Sequence, residues 1–186
     1  MQLRRLAATA AVALVAAFGL AACGAEEDVR LGETEGVYVK AGEVKYQVQI
    51  SRPLNPTDWE DRDYLLGLPA GEQLAGDESY FAVFIRAFNQ TDAPHPSATQ
   101  FEIEDTTGAK FEPLQLDTKA NAFVFQPGTV PAGLQLPLPN SAGQTNTTQG
   151  GLLLFKLPTA ALENRPLELH IAAPEGGEGA IVDLDV

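Results

Sequence analysis

The sequence predicts an all-β protein, an antiparallel β-sandwich of about seven to nine short strands. Three observations lead to this fold class: apolar runs of strand length, turn residues between those runs, and no long segment with helical periodicity. The run from residue 78 to residue 89 is the strongest, because it is apolar on both faces of an extended chain and rich in aromatic residues. Such a strand is expected in the middle of a sheet.

Two strands are predicted before this central one. Residues 37–40 suit a short edge strand, and residues 43–52 alternate regularly between apolar and polar positions. The apolar positions, which are expected to face the core, are Val44, Tyr46, Val48 and Ile50. Pro53 and Pro56 are expected to end the strand, because proline provides no backbone N–H for a sheet ladder.

A hairpin and less regular structure are predicted after the central strand. Residues 100–105 and 110–113 suit the two strands of the hairpin, joined by a turn at residues 106–108. Residues 122–125 suit a further strand. Residues 128–139 contain repeated Gly and Pro and therefore predict extended, irregular edge structure.

The last third of the chain predicts three more strands. They are residues 151–157, 167–172 and 180–186, with one helical turn at 160–164 and a glycine-rich turn at 175–179. The segment before them, residues 140–151, is rich in Asn, Gln, Ser, Thr and Gly. We expect a mobile loop there, and it is one candidate binding surface.

The first residues have the pattern of an export signal. Arg4 and Arg5 precede an uncharged apolar run, residues 6–20, which is too short to span a bilayer comfortably. The segment Leu-Ala-Ala-Cys that ends at Cys23 resembles a bacterial lipobox, which implies lipidation of that cysteine and membrane attachment. Residues 1–22 are thus predicted to be a lipoprotein signal peptide. A plain secretory signal and an uncleaved anchor are the alternatives.

The predicted mature chain has two parts. Residues 23–36 are acidic, with few large apolar side chains, and predict a flexible tether. Residues 37–186 are predicted to be one β-sandwich domain, long enough to bury a sizeable core.

Composition excludes several functions. Cys23 is the only cysteine and Met1 the only methionine, so the mature chain can form neither an internal disulfide nor a Cys-ligated metal site, and we expect no cofactor. The chain has 12 Lys and Arg against 25 Asp and Glu, a formal net charge of −13. Nucleic acid is therefore not an expected partner.

One acidic loop is a weak candidate for a metal site. Asp58, Asp61 and Asp63 are close together in sequence, and clustered carboxylates suit Ca²⁺, but the EF-hand spacing and its glycine are absent. The alternative interpretation is a solvated turn with Trp59 and Tyr64 packed beneath it.

The sequence contains no convincing catalytic motif. His95 lies between two prolines, His170 is expected to face solvent on a strand, and no third metal ligand accompanies them. Ser97 is near His95, but neighbouring side chains in an extended loop rarely point at each other, and no G-x-S-x-G motif is present. We therefore expect a protein that is not an enzyme.

Four segments in order carry a resemblance to a known family: Tyr-Phe-Ala-Val-Phe at 80–84, Phe-Glu-Ile-Glu-Asp at 101–105, Gly-Leu-Leu-Leu-Phe at 151–155 and Leu-Glu-Leu at 167–169. This order resembles bacterial secreted Ig-like lipoproteins of uncharacterised function, a family that includes secreted immunoglobulin-like antigens. The resemblance implies an immunoglobulin-like β-sandwich without catalytic residues.

The expected function follows from these features together. We expect an extracytoplasmic lipoprotein, anchored to the bacterial cell membrane through Cys23, whose domain binds an envelope protein or glycan. The alternative is a solute- or metal-binding lipoprotein associated with a transporter. A third interpretation is a secreted enzyme that uses carboxylates of residues 58–63.

Overall fold

The computed structural model describes residues 28–184, and within them the protein is an all-β sandwich with very little helix. The strands are β1 Leu31–Gly32, β2 Tyr38–Ala41, β3 Val44–Leu54, β4 Glu78–Phe88, β5 His95–Pro96, β6 Phe101–Glu104, β7 Lys110–Phe111, β8 Thr129–Val130, β9 Gln135–Leu136, β10 Gly151–Pro158, β11 Leu167–Ile171 and β12 Ala180–Leu184. Seven of these strands have four or more residues, and the other five have two. The predicted fold class is confirmed.

Two sheets form the sandwich. The front sheet has the strand order β1-β12-β11-β6-β7, and the back sheet has the order β10-β4-β3-β2, with β9 paired to the end of β4. Neighbouring strands are antiparallel except β1 and β12, which are parallel. A separate two-stranded ribbon joins β5 and β8.

The central strand is β4, as predicted. It pairs with β3 on one side and with β10 on the other, so its backbone N–H and C=O groups are used by both neighbours. Alternate side chains of β4 enter two separate hydrophobic clusters on opposite faces of the back sheet. A strand that is apolar on both faces thus has both faces buried.

The first cluster, the inner core, fills the space between the two sheets. Its back-sheet members include Tyr46, Phe81 and Phe155, and its front-sheet members include Ile103 and Leu169. All five are buried. They come from five different strands, so the alternation along each strand builds one shared core.

The second cluster, the outer cluster, lies on the other face of the back sheet. Its buried members are Leu54, Tyr64, Tyr80, Ala82, Phe84, Leu116, Leu152 and Leu154. Two long connections supply the covering side chains: residues 62–74, which begin with the 3₁₀ turn Arg62–Leu65, and residues 114–124. Tyr64 is buried there as predicted, and its ring meets Phe84 and Phe123 edge-on at 4.9 and 5.0 Å.

A β-bulge changes the predicted pattern in β3. The register against β4 shifts between Val48 and Ile50, so the inward alternation that begins at Val44 does not extend to Ile50. Ile50 is 39% exposed, and Ser51 is buried in its place. The strand also continues to Leu54 through Pro53, because β2 pairs only with residues 44–47 and leaves this part of β3 at an edge.

Ordered structure begins earlier than predicted. Within the segment predicted to be a flexible tether, residues 31–32 form β1 and pair with Ile181 and Val182 of β12. Val29 also accepts a backbone hydrogen bond from Lys40 N–H, which ties the same segment to the back sheet. The domain therefore includes residues before 37, because the edge of β12 offered unpaired backbone groups.

Two other segments differ in detail from the prediction, and a third agrees with it. Residues 122–125 form only an isolated bridge, Val124 to Leu152, rather than a strand. The segment 140–151, predicted to be a mobile loop, contains a one-turn helix, α1 (Ala142–Thr145). The predicted helical turn near residue 160 is present as a 3₁₀ helix, Thr159–Glu163.

Candidate functional site

The outer face of the front sheet carries an open groove of about 930 Å³. Its floor is a row of side chains in register across neighbouring strands: Leu31, Ile181, His170 and Glu102 on β1, β12, β11 and β6. These positions alternate with buried residues that point into the inner core, so the row faces outward. Glu112, Pro113 and Gln115, which follow β7, line the groove as well.

A second row of charged side chains runs beside the first. Glu104 lies opposite both Glu168 and Lys110 in the registers of β6 with β11 and β7. Lys110 Nζ lies 2.6 Å from a Glu102 carboxylate oxygen and 3.2 Å from one of Glu104. These two hydrogen bonds raise the pKa of Lys110 above its usual value. The glutamates of this face therefore bind an aliphatic ammonium group.

His170 joins the two rows. Its Nε2 lies 3.1 Å from a Glu168 carboxylate oxygen and 3.7 Å from one of Glu104. Apart from His170, the outward positions of the front-sheet strands carry four carboxylates, Glu102, Glu104, Glu168 and Asp183, against one ammonium, Lys110. The face is acidic.

The other end of the groove is apolar, with one anchored cation. Leu31 is 56% exposed beside the half-buried Ile181. Arg30 lies at the same end, but its guanidinium forms an ion pair with Glu178 at 2.9 Å and donates to the backbone oxygens of Lys40 and Glu178. Arg30 therefore fastens the β1 segment to its neighbours and adds little positive charge to the groove.

A smaller hollow of about 350 Å³ lies at the turn between β6 and β7. Asp105 there accepts hydrogen bonds from the Thr107 hydroxyl, the Asn164 amide and the N–H groups of Ala109 and Thr107. The Thr107 hydroxyl and the Asn164 amide, with the N–H donors, lower the pKa of Asp105 to about 2, and burial only partly opposes this. The carboxylate is fully used by the turn, so this hollow is structural.

The structure does not bring Asp58, Asp61 and Asp63 together. Asp61 is only 4% exposed and accepts hydrogen bonds from the Arg52 guanidinium at 2.5 Å and from Asn55 N–H at 2.7 Å. Burial opposes ionisation of Asp61, but these hydrogen bonds outweigh it and lower its pKa. Asp58 and Asp63 remain exposed. The loop is fastened by an ion pair, and its carboxylates do not form the calcium ligand set considered from the sequence.

Trp59 does not pack beneath this loop as predicted. Its side chain is 76% exposed, whereas Tyr64 five residues later is buried. The outer cluster is instead covered by Tyr64, Leu68, Leu74 and residues of 114–124.

The remaining polar candidates have structural partners. Ser97 is buried, and its hydroxyl accepts a hydrogen bond from Gly128 N–H and donates one to the Ala98 oxygen. His95 lies on the β5-β8 ribbon, whereas His170 lies on the front sheet. Within residues 28–184, no three His, Cys, Asp or Glu side chains cluster closely enough to hold a metal ion.

The described part of the chain also contains no helix long and apolar enough to cross a membrane. Cys23, the predicted lipidation site, and the signal peptide predicted for residues 1–22 lie outside the described residues.

The sequence predicted only a small part of the groove. His170 was expected on the solvent face of a strand, and the alternation of Glu102 and Glu104 with Phe101 and Ile103 is a similar signal. What joins these residues is the pairing of β6 with β11, which are more than 60 residues apart in the chain. No local pattern specifies such a register.

Comparison with known proteins shows the fold. A secreted protein of Mycobacterium tuberculosis, MPT63, is similar over 83% of this chain and 97% of its own, with 14% identity and a TM-score of 0.50. The yjhA protein of Bacillus subtilis is similar over 82% of this chain and 99% of its own, with 13% identity and a TM-score of 0.51. An uncharacterised β-sandwich protein of Clostridium difficile has 9% identity and a TM-score of 0.42.

No family model matches the chain, and no curated protein matches it. At these identities the similar structures establish a shared fold and nothing further.

Proposed function

We propose that this protein is a non-catalytic extracytoplasmic lipoprotein whose β-sandwich binds another component of the bacterial cell envelope, a protein or a glycan. The groove on the front sheet is the observation that carries this proposal. Its volume of about 930 Å³ lies within the range of known ligand sites, and both apolar and polar side chains line it. The proposed binding surface is therefore the front-sheet groove, not the loop at residues 140–151.

The lipoprotein assignment is supported by the N-terminal sequence and agrees with the fold. Arg4, Arg5, the apolar run and Cys23 have the order of a lipoprotein signal, and MPT63, which shares the fold, is a secreted protein. Two or three acyl chains on Cys23 hold a protein on a membrane, since each buried CH₂ contributes about 0.8 kcal/mol. In cells fed labelled palmitate, we expect the label on the protein and its loss in Cys23→Ser. Equal labelling of the variant would contradict the assignment.

A second candidate function is solute binding for a transporter. The same groove favours it, because a volume of about 930 Å³ accommodates a small molecule. The groove is open to solvent, however, whereas small-molecule sites bury most of their ligand. This geometry favours the first proposal.

The binding proposal is tested by site-specific photocrosslinking in cells. A photoreactive amino acid is placed at Gln115, in the groove, and in a matched strain at Lys119, an exposed residue outside it. We expect a discrete adduct with an envelope component from Gln115 alone, identified by mass spectrometry. If both positions give the same adducts, or neither gives any, the groove is not the binding surface.

A further inference from the structure

We infer that the front-sheet groove binds an extended segment of another envelope protein that carries an apolar side chain and, about three residues away, Lys or Arg. This rests on the proposed function and names the ligand class of the same site.

The shape of the groove suits an extended chain. Its floor crosses β1, β12, β11 and β6 and continues to Glu112 beyond β7. Strands are about 4.8 Å apart, so this row is roughly 20 Å long. An extended chain covers about 3.3 Å per residue, and about six residues therefore fill the groove.

The acidic end provides the recognition of a cation. Lys110 shows the geometry from within the chain, because its ammonium lies between the carboxylates of Glu102 and Glu104. Glu112 lines the groove on the same side. The negative potential of these carboxylates, which already holds Lys110, would attract a Lys or Arg side chain from a partner. It would repel an acidic segment.

The apolar end of the groove predicts the second feature of the ligand, an apolar side chain. Ile181 lies two strand spacings from Glu102, about 10 Å, and Leu31 lies three spacings away, about 14 Å. About three to four residues of extended chain cover these distances. The ligand is therefore expected to be apolar at one end and basic at the other.

The experiment measures fluorescence anisotropy of labelled six-residue peptides with the purified full-length protein. The first peptide has leucine at its first position and lysines at the fourth and sixth, and a matched peptide has glutamine in place of both lysines. We expect binding of the first peptide that weakens as salt rises from 50 to 500 mM, and no measurable binding of the second.

The matched variants each remove two carboxylates. Glu102→Gln/Glu112→Gln changes the groove, and Glu60→Gln/Asp92→Asn changes two exposed residues on other loops. We expect the groove variant to bind the lysine peptide about fivefold more weakly, because solvent-exposed charge pairs contribute about 1 kcal/mol at most. The affinity of the control variant should change less than twofold. Leu31→Ser should weaken the leucine peptide but not a version with serine at the first position. Thermal melting of each variant confirms that it is folded.

Three results would overturn the inference. They are equal affinity for the lysine and glutamine peptides, equal loss in the control variant, and competition by spermidine as effective as that of the lysine peptide. If the peptide fails to bind while the crosslink from Gln115 persists, the ligand class is wrong and the proposed function stands. If both are absent, the proposed function fails as well.

Discussion

The two faces of β4 bury apolar side chains by different means. On the inner face, Phe81 and Ile85 meet side chains of the opposite sheet, so regular strands supply both walls of the inner core. On the outer face, Phe84 meets Tyr64 and other side chains of two long connections. Strands are held in place by backbone hydrogen bonds to neighbouring strands, whereas the connections need other contacts to hold them. The two faces of one strand are thus buried by different elements, the opposite sheet on one side and two long connections on the other.

Polar side chains hold the two connections in place over the outer cluster. Asn121 is buried, donates to the backbone oxygens of Tyr64 and Leu66, and accepts from Phe123 N–H. Its single amide thus joins the two connections that cover Phe84. Asp61 fastens the start of the first connection through Arg52. The inner core relies instead on strand pairing, with 25 buried residues in one cluster.

The largest effect is expected from removing a ring on each face of β4. Phe81→Ala should lower the free energy of unfolding by about 4–5 kcal/mol, because the paired sheets cannot collapse into the cavity. The matched change Phe84→Ala should cost about 3 kcal/mol, because the connections can move towards the space. Urea unfolding measures both values. If Phe84→Ala costs as much as Phe81→Ala, the outer cluster is as rigid as the inner core.

An effect of similar size to that of Phe84→Ala, but more local, is expected for Asn121→Ala. Three hydrogen bonds are lost, at about 1 kcal/mol each, and the connections over Phe84 should open. Hydrogen exchange should accelerate at residues 62–68 and 116–124 but not in β11.

Asn89→Ala is the matched control for that change. Asn89 is equally buried and bonds Ala93, Val130 and Thr91 in the same pattern, but at the end of β4. In Asn89→Ala, hydrogen exchange should accelerate at residues 91–97 and 128–131. Uniform acceleration across the domain in both variants would show that the two faces unfold as one unit.

The smallest effect is expected from Tyr46→Phe, which tests a polar contact inside the inner core. The Tyr46 hydroxyl accepts a hydrogen bond of 2.6 Å from Ala98 N–H, so the variant leaves a buried donor unpaired. We expect a loss of about 1–3 kcal/mol, measured by urea unfolding at pH 7. Tyr38→Phe, at an exposed position, is the control and should change stability little.

Tyr46→Phe is also expected to change how the free energy of unfolding depends on pH in the alkaline range. Burial raises the pKa of Tyr46 to about 12, against an ordinary value of about 10 in the unfolded chain. The unfolded state loses this proton first, so the stability that Tyr46 contributes is complete below pH 10 and is lost as pH rises towards 12. Tyr46→Phe should flatten this part of the stability curve. An unchanged slope between pH 10 and pH 12 would contradict the assignment.

The sequence predicted the inner core well because strand periodicity is a local property. Alternation in residues 43–48 and the apolar faces of 78–89 identified Tyr46, Phe81 and Val83 as buried. The outer cluster was only partly predicted, through the second apolar face of residues 78–89 and through Tyr64. The side chains that cover that face, such as Leu116, lie on connections whose paths depend on buried polar contacts such as those of Asn121, and no periodic pattern marks them.

The sequence by itself determined the all-β class, the central position of β4 and the acidic charge, because composition and alternation are read along the chain. It also predicts lipidation at Cys23 through a short motif. Only the tertiary structure decided the bulge that exposes Ile50, the exposure of Trp59 and the row that places Leu31, His170 and Glu102 in one groove. These features depend on the register between strands distant in sequence, which is set by packing of the whole sandwich rather than by any local segment.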